Sequence, residues 1–417
     1  MSWSSSWLTG SQGKIPAISS ASSTPLGNPV VKRSDKMPPS SFPVVLLHGS
    51  PFERGRVHGL YFAGQIRTAI RQMKRRHGTG AFRDAERRAA QSWEFLATLA
   101  PAVLLELKGL AEGCGCSLHD LYLHSSFEFF LGQPATGCSA IALRGAKGAI
   151  VGQNWDAPPS TASDLAVFVH TGPAGFERAV VASVGMLGWV GCNQAGVALV
   201  NNDLMLDAAP TGLPSQVVRR LVLDQSNVKA ALDTLTSVPH MSGRSYLLGD
   251  ADGNVAAVEV SPSTGARQLE GQVLVHTNHA LATDVKAVED GETLRSTYPS
   301  SFRRLDALRR AISDTTNVAG AARVLSDTEG MPEAVSKDVS VREKTQTVFS
   351  VIFDCGAREL HLCAGRPDIG SYSTYQLAPL ASHQSHRHDR TNLRAALLES
   401  GLRGHRSRVP DVKVGRR

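Results

Sequence analysis

Thr136-Gly137-Cys138-Ser139-Ala140-Ile141-Ala142-Leu143-Arg144-Gly145-Ala146-Lys147-Gly148-Ala149-Ile150-Val151-Gly152-Gln153-Asn154-Trp155-Asp156 reads as two short β-type runs, 138–143 and 149–154, joined by a glycine-flanked turn. A hairpin centred near Ala146 puts Cys138 opposite about Asn154, with Asp156 two residues past that partner. Local structure alone then returns a carboxylate to the sulfur. Two plainer readings stand beside this one. A free cysteine is most often a small buried hydrophobe, and Asp156 could cap the turn before Pro158-Pro159.

Upstream of the hairpin the pattern is helical. Val44 to Leu47 reads as a short buried strand and Gly49-Ser50-Pro51 as a turn, after which apolar positions from Val57 to Met73 recur at three- and four-residue steps. The leucines 104, 105, 107 and 110 continue the period until Gly113 and Gly115 supply left-handed positions. Ser117 with Asp120 opens a third helix, expected to run to about Leu131 and to break at Gln133-Pro134. Downstream, strands are expected at 165–170, 179–184 and 197–201, helical periodicity from Pro214 to Leu235, and a hairpin around Asp252-Gly253. A strand at 274–277, helices at 302–312 and 319–325, and strands at 347–354 and 359–363 complete the pattern. Blocks of helix between antiparallel strand runs predict an α+β fold rather than a βαβ alternation.

Charge excludes one class of function. The formal net charge of +7 is concentrated at the ends: residues 383–417 carry +6 and residues 1–41 carry +3, which leaves the body at about −2. A body without cationic excess lacks the phosphate-binding term that dominates nucleic-acid affinity, so no nucleic-acid partner is expected. No apolar stretch approaches the roughly 20 residues of a membrane span. Residues 1–42 read as a Ser- and Pro-rich disordered leader without a secretory h-region, and residues 381–417 as a basic disordered tail. Between them, residues 43–380 are read as a single domain. Six scattered cysteines suit free thiols in a reducing compartment, so a cytoplasmic location is expected. His276 and His279 lack a nearby third ligand and a shared helix face, which argues against a metal site. No cofactor is expected.

Several segments in order carry a resemblance. Gly49-Ser50-Pro51-Phe52-Glu53-Arg54-Gly55 with His58-Gly59, Leu107-Lys108-Gly109-Leu110-Ala111-Glu112-Gly113, Gly137-Cys138-Ser139, Gly152-Gln153-Asn154-Trp155-Asp156, Asn201-Asn202 and His276-Thr277-Asn278-His279 look like the signatures of the acyl-coenzyme A:6-aminopenicillanic acid acyltransferase family of N-terminal-nucleophile hydrolases. The resemblance implies a four-layer αββα sandwich and a precursor that cuts itself between Gly137 and Cys138. It departs from the family pattern at Ser139-Ala140, where Thr and Ser are usual. The family arginine before the late strand has two candidates here, Arg342 and Lys344.

On this reading Cys138 is both cleavage site and nucleophile. Its freed α-amine, with an ordinary pKa of about 7.7–8.0, serves as the base. Asp156 orients the amine, and Asn278 is the first choice of oxyanion donor, with Asn201 second. The expected partners are a small-molecule acyl amide or acyl thioester and the chain's own cleaved N-terminal portion. Amide hydrolysis through a Cys138 thioester is the default activity. Acyl-coenzyme A-dependent N-acyl transfer is the alternative, and a noncatalytic binding protein on the same fold the second.

Overall fold

The computed structural model describes residues 42–130, 136–172 and 175–377. The expected tail, the leader apart from Phe42, and the expected break at 131–135 lie outside these residues. Phe42, assigned above to the leader, is buried edge-on against Phe349.

Two sheets form the middle of the fold. The eight-stranded sheet takes the strands β1 (Val44–His48), β4 (Leu165–Thr171), β5 (Glu177–Ser183), β6 (Val190–Asn193), β7 (Ala198–Ala208), β8 (Ser242–Gly249), β9 (Val255–Ser261) and β10 (Gly265–Leu269), in that spatial order. The six-stranded sheet runs β11 (Val273–His276), β2 (Gly137–Arg144), β3 (Ala149–Ala157), β12 (Gln346–Asp354), β13 (Glu359–Ala364) and β14 (Ser373–Gln376). Every pairing between these strands is antiparallel except β1 with β4.

The helices fall into two outer layers. α1 (Pro51–Tyr61), α2 (Ala63–Arg76), α3 (Thr79–Leu99), α4 (Pro101–Cys114), α5 (Leu118–His124), α6 (Ser215–Val222) and α7 (Val228–Ser237) share a core with Phe168, Val180, Leu199, Leu248 and Val258 of the larger sheet. α10 (Ser301–Ala311) and α11 (Val318–Leu325) pack on Ile141, Leu143, Ile150 and Ile352 of the smaller sheet, while α8 (Thr283–Lys286) and α9 (Gly291–Thr297) lie in the connection before them. Between the sheets, Cys138, Ala140, Val151, Trp155, Val167, Val181, Val200 and Leu247 interdigitate. The result is an αββα sandwich. A sheet covered on both faces explains why β2 and β3 are buried at almost every position instead of alternating.

The early signatures build this scaffold. Ser50 caps α1 with a full capping box to Glu53, and Pro51 takes the first helical position, so the expected turn is in fact a helix start. The periodicity through Val57 to Met73 is split at Phe62 into α1 and α2. α1 then lies directly on α4 through two glycine pairs. An added Cβ at Gly55 would stand 1.9 Å from the Glu106 carbonyl oxygen, and one at Gly109 1.9 Å from that of Phe52. Gly59 and Gly113 are almost as tight, at 2.3 and 2.2 Å from main-chain oxygens. Backbone meets backbone, and no side chain can yield.

Gly109→Ala should therefore lower stability by about 1–3 kcal/mol or more, the range for overpacked cores. Gly64→Ala in α2, where nothing lies within 4 Å of the added Cβ, should be neutral or slightly stabilising. Urea midpoints compare the two. Equal midpoints would show that α1 and α4 separate freely.

Candidate active site

The hairpin forms in a register one residue away from the expected one. Arg144 pairs with Ala149 across a four-residue turn closed by Gly145 N–H donating to the Gly148 carbonyl at 2.8 Å, so Cys138 faces Trp155 and Gly137 faces Asp156. The difference is consequential because side chains alternate faces. Cys138 and Trp155 point between the sheets, whereas Asp156 points to the opposite face, toward the α10 layer. The carboxylate is thus delivered to the Gly137–Cys138 main chain rather than alongside the sulfur. A Cβ on Gly137 would lie 3.1 Å from Asp156 Oδ2.

Asp156 is fully buried. Its Oδ1 accepts the Thr347 hydroxyl at 2.8 Å, and that hydroxyl oxygen accepts the Lys337 backbone N–H at 3.0 Å. Oδ2 has no hydrogen-bond partner among the described residues. Burial pushes this carboxyl above the usual carboxylate range, against the pull of Lys337, Arg304 and the Thr347 hydrogen bond. Lys337 is itself buried, ion-paired with Glu343 and bonded to Thr345 Oγ1 at 2.8 Å, and burial brings its ammonium down to about 8.

Asn278 follows β11 and is fully buried. Its Oδ1 accepts the Cys138 backbone N–H at 3.0 Å and Arg304 Nη2 at 2.8 Å, while its Nδ2 donates to the Asp203 carbonyl at 3.2 Å. The side chain expected to offer an N–H to an oxyanion thus presents its oxygen to Cys138. Asn201, the second choice, is committed elsewhere: Nδ2 donates to the Trp189 carbonyl at 2.7 Å and Oδ1 accepts Arg219 Nη2 at 2.9 Å. Gln153 links Asn201 to the cysteine, bonding the Asn201 main chain and the Cys138 thiol.

Arg342 and Lys344 do not reach the site. Arg342 pairs with Glu333 with its side chain 61% exposed, and Lys344 donates to the Ser340 carbonyl at 3.2 Å on the surface. The cation at Cys138 is Arg304 of α10. Its Nη1 donates to the Cys138 carbonyl at 2.5 Å and to Ser139 Oγ at 2.9 Å, and its Nε to Ser300 Oγ at 2.9 Å. Sequence reading missed it, although a signal existed: Arg304 sits on the apolar stripe of its helix, four residues before Leu308. Lys337 carries no comparable signal, because its role comes from a loop folding back onto the site, and Thr347 reaches Asp156 through the pairing of β12 with β3, which is long-range.

The thiol is held neutral. Burial first, then the Asp203 and Asp156 carboxylates, push Cys138 well above the ordinary thiol range, with Arg304 and the Gln153 hydrogen bond opposing. The two histidines weighed as metal ligands go to separate partners: His276 Nε2 lies 2.8 Å from Glu259, and His279 Nδ1 2.8 Å from Ser301 Oγ with its ring stacked on Phe302.

Two face-to-face sheets between helix layers, with Cys138, Asp156, Asn278 and Arg304 gathered at the start of a central strand, are the architecture of the N-terminal-nucleophile hydrolase class. A sequence model of the acyl-coenzyme A:6-aminopenicillanic acid acyl-transferase family matches residues 143–368, more than half of the chain, and the protein belongs to that family. It is an acyl-amide hydrolase or acyltransferase. The match starts within β2, past Cys138. The acyl-coenzyme A:6-aminopenicillanic-acid-acyltransferase 40 kDa form of Emericella nidulans is 25% identical over 343 residues, covering 78% of this chain and 93% of that one. Among solved structures, a mutant of the conjugated bile acid hydrolase from Clostridium perfringens is 11% identical with a TM-score of 0.35, covering 60% of this chain and 99% of that one. Penicillin V acylase from Agrobacterium tumefaciens is 15% identical with a TM-score of 0.35, covering 54% of this chain and 82% of that one. No helix among the described residues is long and apolar enough to cross a membrane.

Arg342→Ala and Lys344→Ala should leave acyl-amide turnover within about twofold of wild type, because neither side chain touches the site. Arg304→Lys should reduce it by at least about tenfold, since one ammonium cannot hold oxygens from three elements. Steady-state kinetics of the three variants decides, and the reverse order would return the role to the late-strand cation.

Proposed function

We propose that the chain is a self-processing cysteine amidohydrolase in which Cys138 cuts the Gly137–Cys138 bond and then serves as the nucleophile. One observation carries the reading: the first residues of a central strand sit in a socket shaped for an amine. The Cys138 nitrogen is gripped by Asn278 Oδ1, and a buried carboxylate oxygen without a partner faces Gly137. A peptide N–H uses only one of these acceptors. An α-ammonium has further N–H groups to place, and the Asp156 oxygen beside Gly137 is the candidate second acceptor.

In the first step Sγ attacks the Gly137 carbonyl carbon and the C–N bond breaks. The thiol proton passes to the departing nitrogen, and the upstream chain is left as a thioester on sulfur. Water then hydrolyses the thioester, freeing a Gly137 carboxylate and restoring the Cys138 thiol, the α-amine having been released when the C–N bond broke. In turnover the amine takes the thiol proton, Sγ attacks the substrate carbonyl, and the proton returns to the leaving amine. Asp156 and Asn278 hold that amine, and Arg304 fixes Asn278 and the Cys138 main chain.

The N-terminal chain remains the partner of the rest. β1 supplies a strand beside β4, Glu106 pairs with Arg220 at 2.7 Å, and Glu128 with Arg244 at 3.4 Å, all across the cut and, for the ion pairs, buried. The second substrate decides between hydrolysis and transfer. An amine acceptor must be held about 3–3.5 Å from the acyl carbon to outcompete water, whereas water enters any open site, so hydrolysis of a small acyl amide or thioester is the default reading. Six free cysteines fit a cytoplasmic setting.

Intact mass should give two chains, 1–137 and 138–417, for the wild type and one uncut, inactive chain for Cys138→Ala. An active, uncut wild-type protein defeats the reading. The pH dependence supplies a second check. The Thr347 hydrogen bond lowers the Asp156 pKa, so Thr347→Val should raise it. The acid limb of the kcat/KM profile, present above the Asp156 pKa and lost as pH falls through it, should then move to higher pH. A limb that stays or moves down removes Asp156 as the group that must be ionised.

A further inference from the structure

Self-cleavage makes the chain its own first substrate, and the contacts of that built-in acyl group map the acyl side of the mature site. The thioester formed on Sγ carries the upstream segment ending in Thr136-Gly137. The acyl group of an outside substrate ends on the same sulfur. Gly137 has no side chain to be recognised, but Thr136 donates its hydroxyl to Asp203 Oδ2 at 2.9 Å, with both residues buried. Asp203 is held firmly for this contact: Oδ1 pairs with the fully buried Arg244 at 3.2 Å, and its carbonyl accepts Asn278 Nδ2. Beside it, the buried Tyr298 hydroxyl has no hydrogen-bond partner among the described residues, and Asp203 and Cys138 both act on it.

Hydrolysis of the thioester leaves a new carboxylate on Gly137, next to Asp156 and near Asp203. Like charges in a buried site repel strongly, which drives the segment out and strips Asp203 of its donor. A buried carboxylate with an empty oxygen is costly until another donor arrives.

We propose that Asp203 is a specificity-determining residue of the mature enzyme: it binds a hydroxyl or ammonium on the substrate's acyl chain, as far along the chain from the carbonyl as the Thr136 hydroxyl is from the Gly137 carbonyl. The proposal rests on the self-cleavage reading above. A 6-hydroxyhexanoyl group has the same number of bonds between carbonyl carbon and hydroxyl oxygen, and 6-aminohexanoyl places an ammonium there. A chain lacking the donor leaves Asp203 Oδ2 without a partner and is rejected for that reason. The unpartnered Tyr298 hydroxyl is placed to take the oxygen of a hydroxyl ligand.

The test uses fully processed wild-type protein and the p-nitroanilides of hexanoic, 6-hydroxyhexanoic and 6-aminohexanoic acids. The two donor-bearing substrates should exceed the hexanoyl one at least tenfold in kcat/KM. A larger gain for 6-aminohexanoyl identifies the ammonium as the preferred donor, and a larger gain for 6-hydroxyhexanoyl the hydroxyl. In Asp203→Asn the ratio should fall toward unity, whatever the absolute rates. Equal kcat/KM for all three in wild type, or a preference that survives in the variant, overturns the proposal. Calorimetric binding of the free acids to processed wild type needs neither turnover nor a folded variant. Tighter binding of 6-hydroxyhexanoate or 6-aminohexanoate than of hexanoate supports the Asp203 role even if no anilide is hydrolysed, in which case only the hydrolase reading fails. Equal binding of all three acids rejects the Asp203 role.

Discussion

The guanidinium of Arg304 is the contact on which the site depends. From one helix it holds the Cys138 carbonyl and Ser139 hydroxyl of β2, the Asn278 side chain after β11 and the Ser300 hydroxyl at its own helix start. All four partners are neutral oxygens. A buried cation normally requires a contact carboxylate, but here Asp156 acts on it from a longer distance, and burial lowers the Arg304 pKa. The planar fork is what makes this workable: several donors leave one rigid group in fixed directions, so one side chain sets the relative positions of a strand, a loop and a helix. Once Arg304 is placed, Asn278 Oδ1 can only face the Cys138 nitrogen, and its Nδ2 can only face Asp203.

The same geometry separates jobs by sheet face. The strand sends the Cys138 thiol between the sheets, where Gln153 and the Trp155 ring line it, and exposes its main-chain nitrogen at the strand edge to Asn278. Asp156, on the other face, meets the main chain at Gly137. The proposed nucleophile and the carboxylate proposed to hold its amine therefore lie on opposite faces of the strand and do not compete for space. A register with Asp156 on the sulfur's face would have put a carboxylate against a thiol that must ionise.

Much of this was legible in the sequence where the signal was local. The strands of the hairpin, the cap at Ser50, the left-handed Gly115 and the strand ahead of Asn278 all follow from short-range chemistry. The register failed by one residue because turn length, not strand pattern, sets it, and the Gly145 to Gly148 turn closes one residue further on than a centre at Ala146 predicts. The glycines of the early signatures were visible as a pattern, yet their reason, the bare contact of α1 with α4, is tertiary. Arg342 and Lys344 were chosen by proximity to a strand in sequence, and the chain between α11 and β12 turns them to solvent while bringing Lys337 inward. Long-range placement of a loop leaves no periodic trace.

Under the proposed self-processing, the electrostatics also account for how a precursor stays quiet and a product works. In the uncut chain Cys138 is buried between two carboxylates, and every one of these influences opposes the thiolate; only Arg304 and Gln153 resist. Reaction in that state requires the proton to leave sulfur as the bond to carbon forms, because a free thiolate is too costly to populate. Cleavage changes the balance at one atom. A neutral peptide nitrogen would become an amine that is largely cationic near neutral pH, on the same residue as the sulfur and bonded to Asn278 Oδ1. That positive charge favours the thiolate and satisfies the unpartnered carboxylate oxygen. Of the two carboxylates that restrain the thiol, Asp156 is the one proposed to retain its base after the cut.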